Sequence, residues 1–155
     1  MNEEKHAFIT QSFVPLIKPL NASASGKWGK MNAQQMVEHL TDFFKVSAGK
    51  IIFPLVTPIE HLSNYKEFLL SDKQFRENTK APVEILGDEP GPIRCTGMNE
   101  AIDQLQQSIE DFVEYFRVDP AKTSRHPVFG ELNFEEWVLL HYKHLQHHSR
   151  QFELI

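Results

Sequence analysis

Apolar residues recur at i, i+3, i+4 and i+7 along four long stretches of the chain, the spacing of helices with one buried face. No stretch shows sustained strict alternation, and the chain holds no internal repeat or low-complexity tract. The first stretch runs from about Asn2 to Leu20, with Ile9, Phe13, Leu16 and Leu20 on one face. Pro15 and Pro19 each remove a backbone donor there, so a kink or early stop is expected near Pro15. The second opens at Asn32, an N-cap with Gln35 placed to complete a capping box, and stops at Gly49. Its inner stripe is Met36, Leu40, Phe43 and Ser47, with Phe44 at the edge. The third runs from about Asn99 to Arg117 on a stripe of Ile102, Leu105, Ile109, Phe112, Val113 and Phe116, ended by Asp119-Pro120. The last opens near Asn133, with Glu136 three residues on, and reaches about Gln151.

Between the second and third helices the pattern weakens. Thr57-Pro58-Ile59-Glu60 combines an N-cap threonine, a proline at N1 and a glutamate at N3, which predicts a short helix with Leu62, Tyr65 and Leu69 inward. From Ser71 to Gly97 prolines and glycines predict a long crossover with short extended pieces. Four amphipathic helices and one long connection predict an all-α fold, an antiparallel four-helix bundle. At 155 residues this is one domain, residues 1–155, able to bury about two-thirds of its unfolded surface.

Composition excludes several classes. The chain is 41% hydrophobic and 24% charged, which is globular rather than disordered. The single Cys95 allows neither an internal disulfide nor a thiolate-rich zinc site, and no activating base or helix N-terminus is evident beside it. The longest apolar run, Ile51-Ile52-Phe53-Pro54-Leu55-Val56, is far short of a membrane span. The start Met1-Asn2-Glu3-Glu4-Lys5-His6 is acidic where a signal peptide is basic and then apolar. A net charge of −5 argues against nucleic acid as a partner. A soluble cytoplasmic protein is the expectation.

Eight histidines stand beside that one cysteine, and four of them cluster in the last helix. On a helical wheel Phe134, Trp137, Val138, Leu145 and Phe152 define the buried arc. His141 and His148 fall inside it, His144 on its flank and His147 outside it. Burying several imidazoles is costly unless each has a hydrogen-bond partner or a metal. His144 and His148, one turn apart, can converge on one ion. His39 borders the inner stripe of the second helix and supplies a third nitrogen from a facing element. These three form a candidate divalent metal site, the open coordination typical of catalytic centres. A His-Glu-x-x-His zincin motif is absent. His141 is open between core residue, supporting partner, proton shuttle and rival ligand. His126, in the loop before the last helix, either borders the site or packs the loop. His6, His61 and His147 are expected to be ordinary.

Trp28-Gly29-Lys30-Met31 followed by Gln34-Gln35-Met36-Val37-Glu38-His39-Leu40 resembles the second-helix motif of the DinB-like superfamily. The run His141-Tyr142-Lys143-His144-Leu145-Gln146-His147-His148-Ser149-Arg150-Gln151-Phe152 resembles its last-helix motif. His126-Pro127-Val128-Phe129-Gly130-Glu131-Leu132 is similar to the DUF1569 type, a domain of unknown function. The resemblance spans residue 25 to the end. It implies a homodimeric four-helix bundle of up-down-down-up topology, with nickel or zinc held by the positions of His39, His144 and His148. Relatives of known activity include bacillithiol or mycothiol transferases and a mycothiol-dependent maleylpyruvate isomerase. Where the superfamily often follows its last histidine with Arg-Gly-Gln, this chain has Ser149-Arg150-Gln151.

The leading expectation is therefore a metal-dependent transferase that joins a low-molecular-weight thiol to an electrophile. The electrophile would lie in an apolar pocket of Trp28, Phe43, Phe44 and Trp137. His141 or His147 is a candidate proton shuttle. A metal-dependent hydrolase and a non-catalytic metal-binding or interaction module are the competing classes.

Overall fold

The computed structural model describes residues 2–79, 82–87 and 89–155, and of Val83 and Glu84 the main chain only. The helical elements are α1 (Glu3–Ala7), a π turn (Phe8–Ser12), α2 (Phe13–Ile17), α3 (Ala33–Ser47), α4 (Leu62–Leu70), α5 (Val83–Leu86), α6 (Met98–Val118) and α7 (Phe134–Gln151). A two-stranded antiparallel sheet, β1 (Ser124–His126) and β2 (Gly130–Leu132), precedes α7. The chain is mostly helical, as its periodicity predicts. None of its described helices is long and apolar enough to cross a membrane.

Both predicted capping boxes form. Asn32 Oδ1 accepts from the Gln35 main chain at 2.9 Å while Gln35 Oε1 accepts from the Asn32 N–H at 2.9 Å. Asn133 and Glu136 repeat the exchange at 2.9 and 3.0 Å. Each box satisfies two donors that a helix start otherwise leaves orphaned. Gly49 ends α3 in the left-handed region, at φ +72°.

α3 packs along α6, and α7 lies against α1, the π turn, α4 and α3. The π turn also meets α6. The predicted stripes point inward: Met36, Leu40, Phe44, Leu105, Ile109 and Trp137 are fully buried. Each such side chain contributes about 1.5–3 kcal/mol over its exposed state.

Several expectations change. Pro15 does not stop the first helix. The π turn ends just before Phe13, whose N–H bonds back to the Phe8 carbonyl, and the helix runs on through Pro15 to Ile17. Thr57 does not cap α4. A 3₁₀ turn, Ile59–His61, intervenes, and α4 begins at Leu62 with no side-chain cap. Tyr65 is 40% exposed rather than inward. The Ser71–Gly97 crossover has no extended strand among its described residues; Lys80, Ala81 and Asp88 lie outside them. The strands lie instead at 124–132, in segments too short to show alternation. This hairpin is fastened to the end of α3: Ser124 Oγ donates to the Ser47 carbonyl at 2.7 Å, and Arg125 Nε to that of Phe53 at 2.9 Å. The Val56 N–H donates to the Pro127 carbonyl at 2.8 Å.

Candidate metal centre and its cavity

His39 projects from the middle of α3, and His144 and His148 from successive turns of α7. Their Nε2 atoms converge: His39 to His144 at 3.0 Å, and His148 to His144 at 3.1 Å. All three ligand atoms lie within 4.8 Å of one another. A single proton on His144 cannot lie along both short vectors. A tetrahedral ion with bonds of about 2.0–2.1 Å would set its nitrogens roughly 3.3 Å apart, close to what is seen. The donor set therefore fits a divalent metal.

The protonation pattern fits as well. His148 Nδ1 lies 2.6 Å from Gln151 Oε1, and Gln151 Nε2 donates to the Trp28 carbonyl at 2.9 Å. The second bond fixes the amide, so Oε1 faces the imidazole and must accept. His148 thus carries its proton on Nδ1 and presents a bare Nε2 to the site. Burial, with repulsion from His147, lowers His39 to about 4. Burial and the neighbouring imidazoles hold His144 and His148 well below the usual histidine value. All three are neutral ligands at pH 7.

Gln151 reaches Trp28 because the loop before α3 runs directly over the end of α7. The Lys27 N–H donates to the Gln151 carbonyl at 2.7 Å. A side chain at Gly26 would place Cβ 2.7 Å from Gln151 Cγ, so only glycine permits this approach. Gln151 was not among the residues that sequence reasoning selected for the site. Its signal was its place one turn after His148.

The triad lies in the wall of a cavity of about 1380 Å³. Trp28, Phe43, Phe68, Phe75, Phe129 and Trp137 supply much of its apolar lining. Phe44 does not join them. It is fully buried and stacks on His141 at 3.8 Å between centroids. Phe43 stands edge-on to His39 at 5.1 Å and to His144 at 5.5 Å. Phe75, carried in by the crossover, approaches His144 and His147 at 6.5 and 6.0 Å. Lys143 anchors that segment, donating to the carbonyls of Ser71 and Lys73 with its Nζ over the Phe68 ring.

The remaining histidines divide differently from expectation. His141 is a core residue, sandwiched between Phe44 and Trp137. Its Nε2 lies 2.9 Å from Ser47 Oγ, which itself donates to the Phe44 carbonyl, so His141 is the donor. It makes no hydrogen bond to the triad among the described residues. His147 is not an ordinary surface residue. It is buried against Trp28 and Phe75, because loop and crossover cover a side of α7 that a wheel treats as open. His61 is exposed, and His6 packs edge-on against Phe134. His126 lines the cavity while also bonding its own hairpin.

Cys95 is buried, its N–H on the Glu38 carboxylate at 3.3 Å. Desolvation, reinforced by the Glu38 charge, raises its thiol pKa, which suits an inert side chain. Glu38 itself is buried yet held below the usual carboxylate range. Desolvation opposes this, but the N–H groups of Arg94 and Cys95, the Gln34 amide and the Arg94 guanidinium together prevail.

Fold and site together define a helical protein in which three convergent histidines could hold a metal ion at the wall of an aromatic cavity. The chain belongs to the DinB superfamily, whose family model matches residues 20–152. That superfamily is metal-binding, in agreement with the triad. Neither the curated proteins nor the solved structures contain a match to the chain.

Proposed function

We propose that this protein is a metal-dependent transferase that joins a low-molecular-weight thiol to an apolar electrophile, with the divalent ion, zinc or nickel, held by His39, His144 and His148. The observation that carries this is the convergence of three neutral Nε2 atoms at the wall of a large apolar cavity. A divalent ion held there lowers the pKa of a thiol or water that completes its shell.

The cavity supports a two-substrate reaction. Small-molecule pockets usually enclose about 300–1,000 Å³, and this one exceeds that range. Its aromatic walls suit the electrophile. Lys73 and Arg76, exposed and lining the cavity on the crossover, suit the acidic groups of a thiol cofactor. Gln151 keeps His148 in its ligand tautomer, and Phe75 with Trp28 excludes water from the side of His147. The sequence resemblance implies an up-down-down-up four-helix bundle as its frame. A DUF1569-type homodimer completes the proposal on the sequence resemblance, and a cytoplasmic location on composition.

The test uses untagged protein reconstituted with zinc or nickel. One ion per chain is expected, and conjugation of monochlorobimane only when bacillithiol or mycothiol is added. In that reaction the C–S bond forms as chloride leaves. Ester turnover without thiol would identify a hydrolase instead. Stoichiometric metal with neither activity would identify a binding module. No metal after reconstitution would refute the proposal at its root.

A further inference from the structure

His126 closes β1, and its ring stands in the cavity wall away from the three ligands. It stacks on Phe43 at 5.6 Å and 27°, with Phe129 and Trp137 at 5.1 and 5.6 Å. Phe43 in turn touches His39 and His144, so one phenyl ring separates His126 from the triad.

The hairpin fixes the state of this imidazole. Nδ1 accepts from the main-chain N–H groups of Val128 at 3.0 Å and Phe129 at 3.3 Å. A nitrogen that accepts two N–H groups carries no proton, so the ring hydrogen is on Nε2. With the Nδ1 edge turned to the turn backbone, the Nε2 edge is the one that meets the cavity. Nε2 has no hydrogen-bond partner among the described residues, and it is not among the atoms shut away from solvent. Burial lowers the pKa to about 3, so the ring stays neutral and the tautomer persists. The outcome is a fixed N–H donor without an acceptor, set among aromatic walls.

We infer that His126 Nε2–H is a positioning donor for the electrophile, and that the substrate class is an apolar, preferably aryl, molecule bearing a carbonyl oxygen. This rests on taking the cavity as the substrate site. It adds a requirement that the metal does not impose: the acceptor oxygen sits across Phe43 from the triad. A neutral donor that polarises a carbonyl also makes the conjugated carbon more open to a thiolate, in keeping with thiol transfer.

The test compares acetophenone with α-methylstyrene, the same skeleton with CH₂ in place of oxygen. Binding to chelator-treated, full-length protein is followed by ¹H–¹⁵N NMR, so no ion can hold the ketone. Two variants are used. His126→Asn keeps an acceptor oxygen for the Val128 and Phe129 N–H groups but lacks the distal donor. His126→Phe keeps the ring shape and loses both functions. The ketone-to-alkene affinity ratio should fall about tenfold in both, and wild-type ¹⁵N shifts should place the His126 proton on Nε2. A ratio within twofold of wild type in folded His126→Asn would overturn the inference. A proton on Nδ1, or no saturable ketone binding to wild type, would do the same. Metal stoichiometry, measured separately on wild type and His126→Asn, should be equal. Its loss from wild type would strike the metal proposal, while the affinity ratio still reports on His126.

Discussion

Gln151 offers the sharpest test of the metal centre, because it touches a ligand without being one. In Gln151→Met the amide is replaced by a side chain of similar length that can neither accept from His148 nor donate to Trp28. Two groups lose partners, the His148 Nδ1–H and the Trp28 carbonyl. An unsatisfied buried group costs about 1–3 kcal/mol. Two of them predict a loss of about 2–6 kcal/mol in metal-free protein, or roughly 4–24 °C in Tm for a chain of this size. His148 can relieve its own share by moving the proton to Nε2, but that removes the lone pair a metal needs. Zinc affinity should therefore fall about 10–100-fold, the usual cost of losing a ligand's supporting partner. Competition with a chromophoric chelator reads the affinity, and thermal unfolding in chelator reads the stability. Gln151→Glu separates the two effects. It keeps the acceptor and loses only the donor to Trp28, so zinc binding should match or exceed wild type while Tm still drops. Zinc binding by Gln151→Met within threefold of wild type would refute the tautomer argument, as would equal affinities for the Met and Glu variants.

His148→Ala should lose the ion entirely, whereas His147→Ala should retain one per chain, as read by metal analysis of untagged protein. The second change still empties a site packed by Trp28 and Phe75, so about 2–3 kcal/mol of stability should go, measured by urea unfolding. His126 makes stability acid-sensitive. Its pKa is about 3 in the folded protein, against 6.5 when unfolded, so below pH 6.5 the unfolded chain binds a proton that the folded one refuses. Stability should fall by about 2 kcal/mol from this group between pH 7 and pH 5, and the slope should flatten in His126→Asn. A slope unchanged in that variant would contradict the assignment. Lys143→Met should release the Ser71 and Lys73 carbonyls and loosen the crossover, seen as faster amide exchange at Phe75 with the metal content unaltered.

The starts of α3 and α7 were legible because capping is local. Asn32 with Gln35 and Asn133 with Glu136 announce themselves within four residues. His39, His144 and His148 were legible because a stripe and an i, i+4 spacing fix direction on a helix. His147 was not, since a wheel sees only its own helix and the cover comes from Trp28 and Phe75, far away in the chain. The hairpin escaped because three-residue strands are too short for a period to show. His141 could have been assigned from Ser47, the one polar residue on the inner stripe of α3, which is where a buried imidazole finds its partner. Pro15 was legible only in part: the helix does end early, at Ile17, but the irregularity lies in a π turn upstream that the pattern does not show.

The bonds joining Lys27 and Trp28 to Gln151 tie together segments more than 120 positions apart. They span the same ground as the triad, which joins α3 to α7. Loading the centre should therefore act as a clasp on chain exposure: the 21–31 segment should resist proteolytic nicking in metal-loaded protein and become cleavable after chelation. Trp28, with its indole against His147, sits within that clasp as a built-in optical reporter. Its emission would follow the closing of the loop in real time, without a label.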